Sequence, residues 1–385
     1  MLTSGVYGYL VDYLLWCLIF ASLVVHTWCF FKFFPQKRPR LRLVIGNCLV
    51  FVCLLGFAAL LSETYLRFCS VKTDAFGMTL PARRWFLIHT EYNSLKCRDK
   101  EWATDKPQGM RRIAFVGDSF TFGWGIERTE DRFTDLLQAR FDARNPGAVE
   151  VMNVAKPGWD TGEQIQPIRD IIARYSVDEI VLCVTPNDIE KLLPTSDGFD
   201  PTVPPQPSLF NTDSSCLVDY LYRRVYTPYA RSVRNYHDWL ADGYADPNLW
   251  RAQQRQFASI IRACDDDGAE LRMVLLPFIL TGGEKYDART IHANIREFFE
   301  LNGVQVVDLL PVLADRAVGK KKGATGSDHA ELGDRDPETT VRPGRTLRGY
   351  EPSELVVNRH DPHPNEKANA LFAEQIWQAL YADGS

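Results

Sequence analysis

No Lys or Arg stands before Lys32, so the chain lacks the basic start of a cleaved signal peptide. Pairing motifs are missing too. Nine cysteines occur without a single CxxC. Five of them (Cys69, Cys97, Cys183, Cys216 and Cys264) lie outside the long apolar runs, an odd number that argues against both a disulfide scaffold and a zinc site. Cys69 with Cys97 is the pair to consider for a bridge, and Cys183, inside an apolar run, reads as core. With 44 basic and 49 acidic residues the net charge is −5. No basic patch of the kind that binds nucleic acid is visible, and Lys320-Lys321-Lys322 reads as a solvated loop. Internal repeats are absent as well.

What is present begins with two uncharged apolar runs, Tyr13 to Phe31 and Leu43 to Leu61. Each would form a helix of roughly 28 Å, against a hydrocarbon core of about 30 Å. Core helices of soluble proteins are seldom apolar on every face. Both runs are therefore expected to be membrane spans, with Cys17, Cys29, Cys48 and Cys53 acting in them as small apolar residues. Between them, Lys32 to Arg42 holds five basic residues and no acidic one. The positive-inside bias puts this connector in the cytoplasm and everything after about residue 63 on the periplasmic or extracellular side of the cell membrane.

Residues 63–110 read as an irregular linker and cap. From there apolar runs alternate with helical spacing. Strands are expected at Arg112–Val116, Val149–Ala155, Glu179–Val184, Leu271–Ile279 and Val304–Leu310, and a last helix over about Glu366–Leu380. Continuous Val/Ile/Leu strands between helices mean a parallel sheet covered on both faces. The fold class expected is α/β, a flavodoxin-like three-layer sandwich with a parallel sheet of about five strands, preceded by two transmembrane helices. The domains are then 1–62, a transmembrane hairpin; 63–110, the linker and cap; and 111–385, the α/β domain. Pro-, Ser- and Gly-rich insertions interrupt the last near 190–215 and 315–354, the second as a mobile excursion or lid.

Polar residues gather where the first three strands end: Gly117-Asp118-Ser119, then Asn153 and Gly158, then Asn187-Asp188. A fourth polar stretch, "RHDPHPN", holds His360, Asp361 and His363. Strand ends meet on one edge of a parallel sheet, where such folds bind ligands. Acyl transfer requires this set of groups: a serine, a base to take its proton, a carboxylate to orient the base, and donors for an oxyanion. Pro364 biases His363 toward an extended conformation, which puts Asp361 and His363 on one face. Trp124 and Trp159 read as core packing or as platforms for a sugar ring.

These blocks resemble those of the SGNH (GDSL-like) esterases and acyltransferases: Gly117-Asp118-Ser119-Phe120, Gly158, Asn187, and Asp361/His363 followed by Pro364. "GDSFTFGWGI", "DPHPN" and the upstream "NSLKCRDKEW" look most like membrane-attached or exported bacterial members. The resemblance implies Ser119 as nucleophile, His363 as base and Asp361 as its orienting acid. Ser119, Gly158 and Asn187 would form the oxyanion hole, with no metal or cofactor. Two departures stand out. Thr185-Pro186 precede Asn187 where the family usually has Gly, and the acid stands two residues before the histidine, where three is common and this chain has His360.

The function expected is hydrolysis of acyl esters, above all O-acetyl esters of a cell-surface or secreted glycan. Three rivals go with it. One is O-acylation of an exopolysaccharide with a membrane partner that delivers the acyl group. The others are a lipid esterase at the bilayer and a glycan-binding or assembly protein with a relic site.

Overall fold

A computed structural model describes residues 2–34, 38–75, 79–194, 214–226, 229, 235–281, 284–314 and 351–382. In chain order the helices α1 (Leu2–Phe33), α2 (Pro39–Phe68) and α3 (Leu80–His89) come first. Then follow β1 (Arg111–Gly117), α4 (Ser119–Phe122), α5 (Phe133–Arg144), β2 (Val149–Ala155), α6 (Thr161–Tyr175) and β3 (Glu179–Val184). After these come α7 (Cys216–Tyr226), α8 (Tyr236–Ala245), α9 (Pro247–Asp267), β4 (Glu270–Leu275), α10 (Ala288–Leu301) and β5 (Gln305–Asp308). The chain closes with α11 (Leu310–Ala314), the short strands β6 (Val356–Asn358) and β7 (Asp361–Pro364), and α12 (Glu366–Leu380). Most of both predicted insertions, residues 195–213 and 315–350, lies outside the described residues.

The chain divides into two compact units: residues 1–88 with 199–234, and residues 89–198 with 235–385. In the first unit residues Leu10–Phe33 of α1, and all of α2, are long and apolar enough to cross a membrane. Their large apolar side chains, among them Leu14, Leu18, Leu54 and Phe57, are exposed. A core helix would bury these groups.

The second unit is a five-stranded parallel sheet in the order β2-β1-β3-β4-β5. Alternate residues of each strand face opposite sides, and both sides are apolar. Ala114, Val116, Ile180, Leu182, Met273 and Leu275 pack under α6, α9 and α10. Ile113, Phe115, Val181, Cys183 and Val274 pack under α5 and α12. This is the expected three-layer sandwich. β4 stops at Leu275, short of the expected Ile279, because Pro277 has no N–H to give the ladder. All nine cysteines, Cys69 and Cys97 among them, are free thiols.

The strand order reverses between β1 and β3, the place beyond the carboxyl ends of the strands where such sheets bind ligands. The antiparallel β6–β7 hairpin meets α4 there, through His363 and Ser119. Asn365 ties the hairpin to α12: its Oδ1 caps the helix by accepting from Lys367 N at 3.0 Å and Ala368 N at 3.1 Å. Its Nδ2 donates to the carbonyls of Glu354 at 2.8 Å and Val356 at 3.1 Å. Asn365→Ala removes both the cap and the tie, so a loss of about 1–2 kcal/mol is expected. A drop in the unfolding temperature of the full-length protein, with loosening of the hairpin in hydrogen exchange, would show it.

Candidate active site

Ser119 is the first residue of α4, a single turn entered directly from β1. Asp118 caps it, its Oδ1 accepting from Phe120 N at 2.9 Å. Gly117 lets the turn close this tightly, because a Cβ there would sit 2.3 Å from Thr121 Oγ1. Ser119 N–H is one of the first-turn donors that have no acceptor within a helix.

His363 and Asp361 lie in β7, two apart and on the same buried face. His363 Nε2 is 2.9 Å from Ser119 Oγ, and His363 Nδ1 is 2.6 Å from Asp361 Oδ1. The same carboxylate oxygen accepts from His363 N at 3.2 Å. With the Nδ1–H donated to Asp361, Nε2 is left to accept from the serine hydroxyl. All three groups are at least nine-tenths buried. His360 stands outside this relay, its Nε2 accepting from Arg359 Nε at 2.8 Å.

Trp124 is neither plain core nor an open platform. Its ring stacks on the His363 imidazole, centroids 5.2 Å apart and planes 19° from parallel. Phe120 meets the same imidazole at 5.3 Å. The loop that carries Trp124 is held at both ends. Trp124 N donates to Ser119 O at 3.0 Å. Arg98, buried behind the loop, donates to the carbonyls of Gly123 at 2.9 Å, Ile126 at 2.7 Å and Glu127 at 3.2 Å. Burial, with Arg132 beside it, pulls the Arg98 guanidinium down to about 10.

The Gly158 N–H has no acceptor among the described residues. Asn187 is oriented by its neighbours: Thr185 Oγ1 lies 2.6 Å from its Oδ1, and its Nδ2 lies 3.5 Å from Asp118 Oδ2. An amide nitrogen carries two hydrogens, so the second stays available. Asn153 is not at the site. It is buried, donating to Thr121 O at 2.7 Å and Thr134 Oγ1 at 2.9 Å, and it braces α4 against α5. Trp159 packs half-buried against the core, with the Lys156 ammonium 4.8 Å from its ring centroid.

Thr185 is a member of the site that sequence reasoning treated only as a departure. Its hydroxyl sits 2.9 Å from Asp118 Oδ2 and 3.2 Å from Asp188 Oδ1, between two fully buried carboxyls. Burial raises Asp118. Burial first, then the charges of Asp118 and Asp160, holds Asp188 well above the usual carboxylate range. Among the described residues Asp188 Oδ2 has no hydrogen-bond partner. Among the described residues no cluster of three or more His, Cys, Asp or Glu is placed to hold a metal ion.

A buried serine–imidazole–carboxylate relay at a sheet's switch point can activate a hydroxyl for attack on a carbonyl. The chain belongs to the GDSL-like lipase/acylhydrolase family, whose pattern matches residues 115–371. It is similar to the crystal structure of TesA at 14% identity, over 71% of this chain and 99% of that one, TM-score 0.37. It is similar to the psychrotrophic esterase EstA from Pseudoalteromonas sp. at 11% identity, over 71% and 97%, TM-score 0.38. It is also similar to the acetyl xylan esterase AlAXEase at 16% identity, over 70% and 99%, TM-score 0.40. No curated protein matches the chain.

Gly125 has φ +81°, and a Cβ there would lie 2.4 Å from Val357 Cγ2 in β6. Gly125→Ala therefore wedges the Trp124 loop off the hairpin, at a cost of about 1–3 kcal/mol. Thermal unfolding of the full-length variant should show the loss, while Gly147→Ala, with open space around it, measures the cost of positive φ alone. The raised Asp188 gives a pH signature. A carboxyl whose pKa is higher folded than unfolded stabilises fully below its unfolded value, near 4, and less as pH climbs toward the folded value. Asp188→Asn, which needs no proton, should unfold at higher temperature than wild type at pH 7, with the gap closing as pH falls toward 4.

Proposed function

We propose that the chain is a serine-dependent carboxylic ester hydrolase that works through an acyl-enzyme on Ser119. The observation that carries this reading is the unbroken Ser119–His363–Asp361 relay inside a GDSL-family domain. Ser119 Oγ attacks the ester carbonyl carbon while His363 Nε2 takes the hydroxyl proton. Asp361 holds the Nδ1–H and the positive charge that forms on the ring. Trp124, stacked on that ring, fixes its plane and favours the imidazolium through its π face. The tetrahedral oxyanion is received by the N–H of Ser119, the N–H of Gly158 and the free amide hydrogen of Asn187. Its collapse breaks the C–O bond, and His363 returns the proton to the departing alcohol. Water, deprotonated by the same imidazole, then releases the acid.

The substrate class we propose is acyl, chiefly O-acetyl, esters of a cell-surface or secreted glycan. The support is α1 and α2, with the basic Lys32–Arg42 connector between them. As a membrane hairpin with that connector inside, they would put the second unit outside the cytoplasm, among such glycans. The same acyl-enzyme could pass its acyl group to a glycan hydroxyl.

The test is labelling of the full-length protein in detergent with a fluorophosphonate probe, beside hydrolysis of an acetyl ester. Wild type should label. Ser119→Ala and His363→Ala should abolish labelling and lower kcat/KM by about 10³-fold or more, while Asp361→Asn should lower it comparably. His360→Ala should match wild type. A folded wild type that neither labels nor turns over acetyl ester would overturn the reading.

A further inference from the structure

Soluble helices turn charge outward and apolar side chains inward. In helix α7 of the first unit a charged pair is buried and two apolar side chains are exposed. Asp219 and Arg223, one turn apart, are buried and paired, Arg223 Nε donating to Asp219 Oδ1 at 2.8 Å. The other oxygen, Asp219 Oδ2, accepts from Leu80 N at the start of α3, 2.7 Å away. Leu221 and Val225, also one turn apart, are 50% and 64% exposed. Such a helix gains stability where the medium it faces is apolar.

The start of α7 fixes where that medium begins. Glu63 of α2, two residues past the apolar run that ends at Leu61, is buried and accepts three hydrogen bonds from the α7 N-terminus. These come from Ser215 Oγ at 2.8 Å, Cys216 N at 3.0 Å and Leu217 N at 2.7 Å. Arg67 pairs with Glu63 at 2.7 Å and donates to Ser214 O at 2.8 Å. From α1, Trp16 Nε1 reaches the same carbonyl at 3.3 Å. A carboxylate at a helix N-terminus is favoured by the helix dipole as well as by these bonds. α7 is thus fastened to the end of the α1–α2 pair at the level where its apolar stretch gives out.

We propose that α7 is an interfacial helix whose Leu221–Val225 side rests in the headgroup–acyl boundary of the bilayer that α1 and α2 cross. This rests on the reading of those two helices as membrane spans. Lipid is the occupant that fits, because α7 starts at Glu63 and Trp16, where the apolar stretch of α1 and α2 ends. The Asp219–Arg223 pair is buried away from that side, and Arg224, half-buried with its guanidinium 4.9 Å from the Tyr220 ring centroid, is a long cation of the kind that snorkels to headgroups.

The experiment places an environment-sensitive fluorescent amino acid at position 221, and separately at position 54 in α2, in the full chain. Each protein is reconstituted in phosphatidylcholine nanodiscs with and without doxyl-labelled lipid. Position 221 should emit in the blue and lose about half its intensity or more to the lipid-borne quencher, as a residue at the acyl boundary does. Quenching at 54 but water-like emission at 221 overturns the proposal and leaves the spans intact. Blue emission at 221 without quenching by lipid also overturns it, since protein then covers the stripe. No quenching at either position removes the spans and the proposal together.

Discussion

His363 Nε2 and Ser119 Oγ lie 2.9 Å apart although 244 residues separate them in the chain. One hydrogen bond contributes about 1 kcal/mol net, far too little to order two segments so distant in sequence. The distance must be imposed from outside the bond. On one side α4 leaves β1 in a turn so tight that only Gly117 fits behind it. On the other, the β6–β7 hairpin is pinned to α12 by Asn365. Asn369, one turn into that helix, accepts from Phe133 N at the start of α5. Between the two supports stands the Trp124 loop, bonded to Ser119 by its backbone, stacked on His363 by its ring and touching Val357 at Gly125. The relay is a consequence of this packing, and damage to the packing reaches the chemistry without touching a reacting atom.

The parts of this arrangement that follow from local rules were legible in the sequence. β2, β3 and α12 fall where the apolar patterns put them, and two-residue spacing before a proline does place Asp361 and His363 on one face. The end of β4 was misjudged by giving apolar continuity more weight than the missing N–H of Pro277. The residues that hold the site in place were not legible. Arg98 reads as one of many arginines, and only the folded chain brings its guanidinium against the carbonyls of Gly123 and Ile126. Trp124 offered a choice between core and sugar platform. Its stacking on an imidazole that arrives from the far end of the chain leaves no trace in local spacing.

Thr185 shows how a departure from a motif becomes physical once its neighbours are known. Glycine at that position would leave Asp118, Asn187 and Asp188 to settle their polar atoms alone. The threonine hydroxyl stands among all three, with a single proton to give. Two fully buried carboxyls that share one hydroxyl cannot both ionise cheaply, and burial with the charge of Asp118 raises Asp188 well above the usual carboxylate range. In the proposed reaction negative charge develops beside Asn187, the residue bonded covalently to Asp188. An ionised Asp188 would repel that charge across a dry interior, where Coulomb forces are strong. The raised Asp188 lessens that repulsion, and Thr185 fixes the Asn187 amide through its Oδ1. The buried acid pair thus costs stability at neutral pH, and the site's electrostatics give a reason to retain it.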